Sequence, residues 1–435
     1  MLQPFSREWA DFTPTVACAS IRLRSPAPLE VCVIPTVGCL LSGRAWQNGR
    51  TAIVRAGARA AVLCGLLVCG LQPLGGAEQG QWVFAVSGDS RNCGDVVMPA
   101  IAASVLSHDP AFYWHLGDFR KISAIDEDMK QQPRYRASGL LTDTQYQEHA
   151  WEDFISSQID PFGELRVYLG IGNHELINFT PPNTMPTNTA GPSKITAATR
   201  QRTRAEYLHD FEKWMTWPNL AAQRAKDNPA DLRPRTYYHW VERGVDFINL
   251  DNATSDQFDE EQMRWLGKVI DRDRVDPEVK ALVVGMHAAL PGSISADHSM
   301  EQSSAGVQSG RLIYSDLLAL HYETHKPVYL LASHSHFYMA GIFRTEYWRL
   351  RGGVLPGWIV GTAGAQRYPL PGTRGDALES LENTYGYLLA TVSASGEITF
   401  AFQRIEEKDI PKAVSEMYTG SFVHVCFDDN SRVAR

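Results

Sequence analysis

The sequence predicts an α/β fold, and two observations carry that prediction. Five apolar runs, each the length of one buried strand, end in Asp, Asn or His: Trp82-Val83-Phe84-Ala85-Val86-Ser87-Gly88-Asp89, Phe112-Tyr113-Trp114-His115-Leu116-Gly117-Asp118, Val167-Tyr168-Leu169-Gly170-Ile171-Gly172-Asn173-His174, Ala281-Leu282-Val283-Val284-Gly285-Met286-His287 and Val328-Tyr329-Leu330-Leu331-Ala332-Ser333-His334-Ser335-His336. A continuous apolar run bounded by Gly suits a strand covered on both faces. Helix-like segments lie between these runs, and strands alternating with helices imply parallel pairing with helices packed on the sheets.

Taken in order, strand 82–88 leads to a helix over 96–108 and then to strand 111–117. Gln145 to Ile159 reads as a helix before strand 166–171. Residues 176–235 form an insertion; its Pro/Thr/Asn-rich part, 179–199, is expected as loop, and Arg204 to Trp217 as a helix. Such a loop beside a reactive motif is a common specificity element. Tyr207, Trp214 and Trp217 would stack a base or sugar there, or else pack as core. Tyr237 to Asp251 is a hairpin turning at Glu242-Arg243-Gly244. Asp259 to Arg272 and Gly310 to Thr324 are helices, the first with acidic residues in its opening turn. Tyr385 to Ile405 closes the domain as a hairpin with Ser395-Gly396 at its turn, and 406–435 is a C-terminal tail.

A chain of 435 residues is long enough for a sizeable core. Its net charge of −8 leaves no basic footprint for nucleic acid. In the first 80 residues, Arg55 and Arg59 precede an apolar stretch from Ala60 to Leu71, followed by Gly75-Gly76-Ala77. That order describes a secretory signal over 54–77, cleaved after Ala77. The stretch is too short to span a bilayer, which takes about 20 apolar residues, so no stable membrane span is expected in the mature chain. Residues 1–53 are then an upstream extension that does not belong to the native protein or a disordered leader. Export to a periplasmic or extracellular space follows. Removal of the leader takes five of seven cysteines and leaves Cys93 and Cys426, either paired or as two buried thiols.

Carboxylate, amide and imidazole at successive strand ends make a mixed O/N donor set suited to Zn, Mn or Fe. The ordered motifs resemble those of the calcineurin-like metallophosphoesterase superfamily, which includes the purple acid phosphatases: Asp-x-His, Gly-Asp, Gly-Asn-His-Asp/Glu, His and Gly-His-x-His. The resemblance covers residues 82–405. Phe247-Ile248-Asn249-Leu250-Asp251 with Gln262, Trp265 and Leu266, and the glycine-rich strand end Trp358 to Ala365, also match pieces of that family. It implies a four-layer α-β-β-α sandwich of two mixed sheets with the active site at the strand C-terminal ends. It further implies hydrolysis of a phosphate mono- or diester in a small phosphorylated substrate, with two metal ions holding the attacking hydroxide.

By this resemblance Asp118 bridges two metals, Asp89 and His336 hold the first, and Asn173, His287 and His334 hold the second. His174 faces the substrate and stabilises or protonates the leaving oxygen, and Glu175 orients His174. His298, in the polar loop after His287, matches a second substrate-facing histidine. His115 has no family role and reads as core. The chain departs from the pattern at Asp89-Ser90-Arg91, where relatives carry Asp-x-His, and at Lys121, where purple acid phosphatases carry Tyr. A guanidinium has no acceptor and cannot ligate a cation. Either the first position is completed by water or Asn92, which is the expectation for two metals, or Arg91 supplies the missing charge and grips the phosphate. The lost ligand also leaves open a non-catalytic, phosphate-binding relative. Ser333 in place of Gly is tolerated unless the backbone there needs positive φ.

Overall fold

The computed structural model describes residues 80–177, 203–253 and 257–428. The signal segment 54–77, the extension 1–53 and the loop 179–199 lie outside the described residues. Among the described residues two mixed sheets form. Strands β1 (Trp82–Ser87), β2 (Tyr113–His115), β3 (Val167–Leu169), β4 (Tyr238–Glu242), β5 (Val245–Asn249), β6 (Ala281–Met286), β7 (Val328–Ala332), β8 (Tyr338–Ala340), β9 (Gly357–Val360), β10 (Glu379–Leu381), β11 (Tyr385–Val392) and β12 (Ile398–Ile405) follow in chain order. One sheet runs β12-β11-β1-β2-β3 and the other β10-β8-β9-β7-β6-β5-β4. The strands that end in the motifs pair in parallel, β1 with β2, β2 with β3, and β6 with β7, so their C-terminal ends emerge together.

The layering follows from period-2 alternation. In β5 to β7, Val245, Phe247, Val283, Tyr329 and Leu331 belong to the core between the sheets. Their neighbours Ile248, Leu282, Val284, Val328 and Leu330 pack instead with the helices Glu260–Val275 and Ser304–Thr324. The inter-sheet core is aromatic: Phe84 meets Phe247 edge-on at 4.9 Å, and Tyr168 stacks on Trp240 at 3.9 Å. Trp114 crosses from β2 to donate a hydrogen bond to Asn249 Oδ1 on β5 at 3.1 Å. On the far side of the five-stranded sheet, the helix Gly94–Leu106 and Phe154, at the end of the helix Asp143–Phe154, join the same core cluster. Helix, sheet, sheet and helix therefore stack in the expected four layers.

Local chemistry accounts for the boundaries. Thr142 and Gln145 form a capping box at the start of Asp143–Phe154. Asp259 accepts from Gln262 N at 2.8 Å and caps Glu260–Val275. Gln262, buried, also brackets the backbone of Asp251 by accepting from its N–H and donating to its carbonyl, both at 2.7 Å. The hairpin β4–β5 turns through Arg243 and Gly244, both at positive φ. The expected helix Arg204 to Trp217 is interrupted. Arg204–Asp210 and Glu212–Met215 are separated at Phe211, whose ring is buried against Phe119 at 5.2 Å, and a third helix, Pro218–Asp227, follows. Packing of that ring overrides the helical pattern.

The tail forms two helices, Lys412–Tyr418 and Gly420–Asp428. Cys426 in the second is disulfide-bonded to Cys93, with Cα atoms 6.0 Å apart. No described helix is long and apolar enough to cross a membrane.

Candidate metal centre

Five strand ends meet where the two sheets' parallel segments terminate. The loops after β1 and β2 are tied together by Asp89 N–H to Gly117 O at 2.9 Å and Ser90 N–H to Asp118 O at 3.0 Å. The second sheet is joined to them by His334 N–H donating to Asp89 Oδ2 at 2.7 Å. Asp89, Asp118 and His334 all adopt left-handed backbone, at φ 60°, 61° and 65°. Non-glycine residues in that region are held there by their surroundings and are typical of functional sites. Ser333 itself is not among the positive-φ residues. Gly172 is required by space: a Cβ there would lie 2.3 Å from Asp118 Oδ1.

Two groups of potential metal ligands result, and they share Asp118: Asp118, His287 and His334 in one, Asp89, Asp118 and His336 in the other. Around the first, His287 Nε2 lies 3.0 Å from Asn173 Oδ1, 2.9 Å from His334 Nδ1 and 3.4 Å from Asp118 Oδ1. His287 Nδ1 faces only acceptors of its proton, the Leu116 carbonyl and Ser333 Oγ, each at 3.1 Å. Its Nε2 lone pair therefore points at a carboxylate oxygen, an amide oxygen and the Nδ1 of His334. One carboxylate, one amide oxygen and two imidazoles within reach of one point are a donor set that fits a divalent cation. Without one, a proton takes the place: burial pulls the His287 imidazole down, but the Asp118 carboxylate outweighs it and raises the ring to about 9. Burial raises the Asp118 carboxyl, yet the surrounding His287, His174 and Arg91 hold it well below its ordinary range.

In the other group, His336 Nε2 is 3.2 Å from Asp89 Oδ1, and its Nδ1 donates to the Gln366 carbonyl at 2.5 Å. Burial raises Asp89, but His336 outweighs that and holds it at about 2. Asp89 Oδ1 and Asp118 Oδ2 are buried oxygens without a hydrogen-bond partner among the described residues. Both belong to the carboxylates expected to face metal, and buried oxygens of this kind call for a counter-charge.

Arg91 enters this centre. Its Nη1 contacts His174 Nε2 and lies 3.6 Å from Asp118 Oδ2, and its Nη2 lies 3.0 Å from His336 Nε2. The His174 ring is fixed from behind, its Nδ1 donating to the Lys121 carbonyl, while its own N–H donates to Asp118 Oδ1 at 3.0 Å. Burial, and then Arg91, hold the ring neutral with a pKa near 4. Glu175 sits on backbone rather than on the His174 ring. Its two oxygens accept from the amides of Gly172, Asp118 and Phe119 at 2.7, 2.9 and 2.7 Å. It thus holds the loop that carries Asp118, whose amide it clamps.

His298 reaches the rim, with its ring 5.5 Å from His334 and 5.0 Å from Tyr368. Asn92, considered as a completing ligand, is buried at positive φ, and its Oδ1 has no hydrogen-bond partner among the described residues. His115 is buried core, edge-on to Phe119 at 4.9 Å. The insertion aromatics are structural. Tyr207 and Trp214 are buried, Tyr207 donates to Gly170 O at 3.0 Å, and Trp217 Nε1 donates to Val167 O at 2.9 Å. They brace β3, with the Tyr207 and Trp214 rings buried in the core and Trp217 half-buried against it.

Two contributors escaped the sequence reading. Tyr368 stacks on His336 at 3.9 Å, and its position in a loop after the glycine-rich strand end offers no periodic signal. Ser333 Oγ donates to Leu116 O at 3.0 Å while accepting from His287. Its departure from Gly was the available clue.

No family profile matches the sequence, and no curated protein does. Among solved structures, the chain is similar to a purple acid phosphatase isolated from yellow lupin seeds (TM-score 0.48, 14% identity, covering 74% of this chain and 51% of that one). It is similar to PhoD (TM-score 0.48, 13% identity, 76% and 69%). A third is a putative 5'-nucleotidase from Staphylococcus aureus (TM-score 0.38, 14% identity, 79% and 58%). These neighbours are metallophosphoesterase-type folds. The chain spans about half the length of the lupin protein.

Proposed function

We propose that this chain is a metal-dependent phosphoesterase that hydrolyses a phosphate mono- or diester. The observation that carries the reading is the convergence of Asp118 Oδ1, Asn173 Oδ1, His287 Nε2 and His334 Nδ1 on one point. These residues would hold a divalent ion, Mn, Fe or Zn. Such an ion, when bound, supplies Lewis acidity and makes water a nucleophile near neutral pH.

The other groups act on the substrate. Arg91 presents N–H donors and a fixed positive charge toward the centre, the arrangement that recognises phosphoryl oxygens. His174 holds its Nδ1 proton on Lys121 O, so its free function is the Nε2 lone pair beside Arg91. When the guanidinium turns to a phosphoryl oxygen, that nitrogen would be released to take the proton given up as water becomes the nucleophile and to pass it to the leaving alkoxide. Glu175 keeps the Asp118 loop in place, and His298 with Tyr368 borders the entrance from one side. The buried Cys93–Cys426 bridge supports export to an oxidising compartment.

Release of p-nitrophenol from its phosphate mono- and bis-ester, with Mn or Zn added, tests the reading, with His287→Ala as control. Turnover that vanishes with chelation and in the variant is the expected result. Absence of turnover with any metal, together with tight phosphate binding, would favour the binding-protein reading. A panel of nucleotide, sugar and lipid phosphates then defines the substrate class.

A further inference from the structure

The two ligand groups differ in one respect: only one of them already contains a cation. His336 donates its Nδ1 proton to the Gln366 carbonyl, so its Nε2 carries a single lone pair. That lone pair faces Arg91 Nη2 at 3.0 Å. A guanidinium nitrogen only donates, so the lone pair is taken by Arg91. A metal at the Asp89, Asp118 and His336 position would need the same lone pair at about 2.0–2.1 Å. One lone pair serves one of the two.

The guanidinium is held in that place from several directions. Its other arm contacts His174 Nε2, the only lone pair of a ring whose Nδ1 is likewise committed. Tyr368 stacks on His336 at 3.9 Å and so backs the ring that the guanidinium contacts. Its loop is anchored by Asn92 N–H to Asp126 Oδ1 at 2.7 Å, by Cys93 N–H to Gly364 O at 3.1 Å and by the disulfide. Charge agrees with this. Asp89 and Asp118 together balance one divalent ion, which leaves the guanidinium charge for the substrate. A second divalent ion beside Arg91 would meet like charge in a buried setting.

We propose that this chain holds one metal ion, at Asp118, Asn173, His287 and His334, and that the Arg91 guanidinium stands at the first metal position and binds a phosphoryl oxygen there. The inference rests on the metal-dependent reading above, and it departs from the two metals that the family resemblance implies.

The test is metal stoichiometry. Wild type, Arg91→His and Arg91→Ala are saturated with Mn(II), freed of unbound ion and measured by elemental analysis, with folding checked by circular dichroism. The expected ratio is one ion per chain in wild type, with an isolated six-line Mn(II) electron paramagnetic resonance spectrum. In Arg91→His, which restores Asp-x-His, it rises to two ions with a spin-coupled spectrum. Arg91→Ala keeps at least the one ion and loses kcat/KM about a hundredfold, as removal of a transition-state donor does. Two coupled ions in wild type overturn the inference and leave the phosphoesterase reading intact. A ratio that stays at one in a folded Arg91→His also overturns it, because Arg91 would then not be what closes the position. A wild type that binds no ion overturns the metal-dependent reading itself.

Discussion

Loss of the Cys93–Cys426 bridge gives a stability change that can be worked out in advance. The bridge closes a loop across a sequence separation of 333 and lies two residues after Arg91. In the chain-entropy view, closing so long a loop in the denatured chain is worth about 6 kcal/mol, an upper value because denatured chains retain structure. Native bridges typically contribute about 2–5 kcal/mol, and a loss of about 3 kcal/mol is expected. With a urea slope of about 3 kcal/mol/M, the midpoint falls by about 1 M. Both sulfurs are buried, so the comparison is between oxidised protein and the same chain refolded and kept under reductant, which leaves packing unchanged. Activity should fall less than the loop's proximity suggests, because Asn92 and Cys93 keep their backbone bonds to Asp126 and Gly364. Two free thiols in unreduced protein, or coincident urea curves, would refute the reasoning.

His174→Ala is expected to lower kcat by about 10²–10⁴-fold, with bound metal unchanged by elemental analysis, since the ring acts on the leaving group. Ser333→Ala should weaken metal binding about tenfold, measured by chelator competition. The Leu116 carbonyl at 3.1 Å still accepts the His287 proton, so the loss stays at the low end for an outer partner. On the edge of the seven-stranded sheet, both nitrogens of the buried His239 face carboxylates, Nε2 to Asp227 at 2.7 Å and Nδ1 to Asp246 at 2.8 Å. Burial pulls its pKa down, but Asp246 and Asp227 outweigh this and raise it to about 9, even with the Arg272 guanidinium 3.2 Å away. A raised folded value means the stabilisation, about 3 kcal/mol, is complete below pH ~6.5 and disappears as pH rises through about 9. Urea midpoints of wild type should therefore fall between pH 7 and 10, and His239→Gln should flatten that slope.

The strands, the two-face burial and the order of reactive residues were legible because each is local. Apolar runs of strand length ending at Gly are written in consecutive residues, and the donor types at those ends survive any packing. Helix starts such as Asp259 and turns such as Arg243-Gly244 are local in the same sense. The insertion was less legible, since Phe211 breaks a helical pattern to fill a space made by Phe119, a residue far away in sequence. Glu175 shows the same limit. Its place next to His174 suggested a partner for the ring, whereas its oxygens lie on the amides of Gly172, Asp118 and Phe119.

The sequence by itself determined which atoms are available: two carboxylates, an amide, the imidazoles and one arginine that cannot bind metal. Only the tertiary structure decided which nitrogen of each ring is free. That choice depends on carbonyls contributed from elsewhere, Leu116 behind His287, Lys121 behind His174 and Gln366 behind His336. A backbone carbonyl accepts whatever side chain it belongs to, so residue identities carry no trace of it. Those three carbonyls turn three lone pairs inward, one toward Asp118, Asn173 and His334 and two onto Arg91.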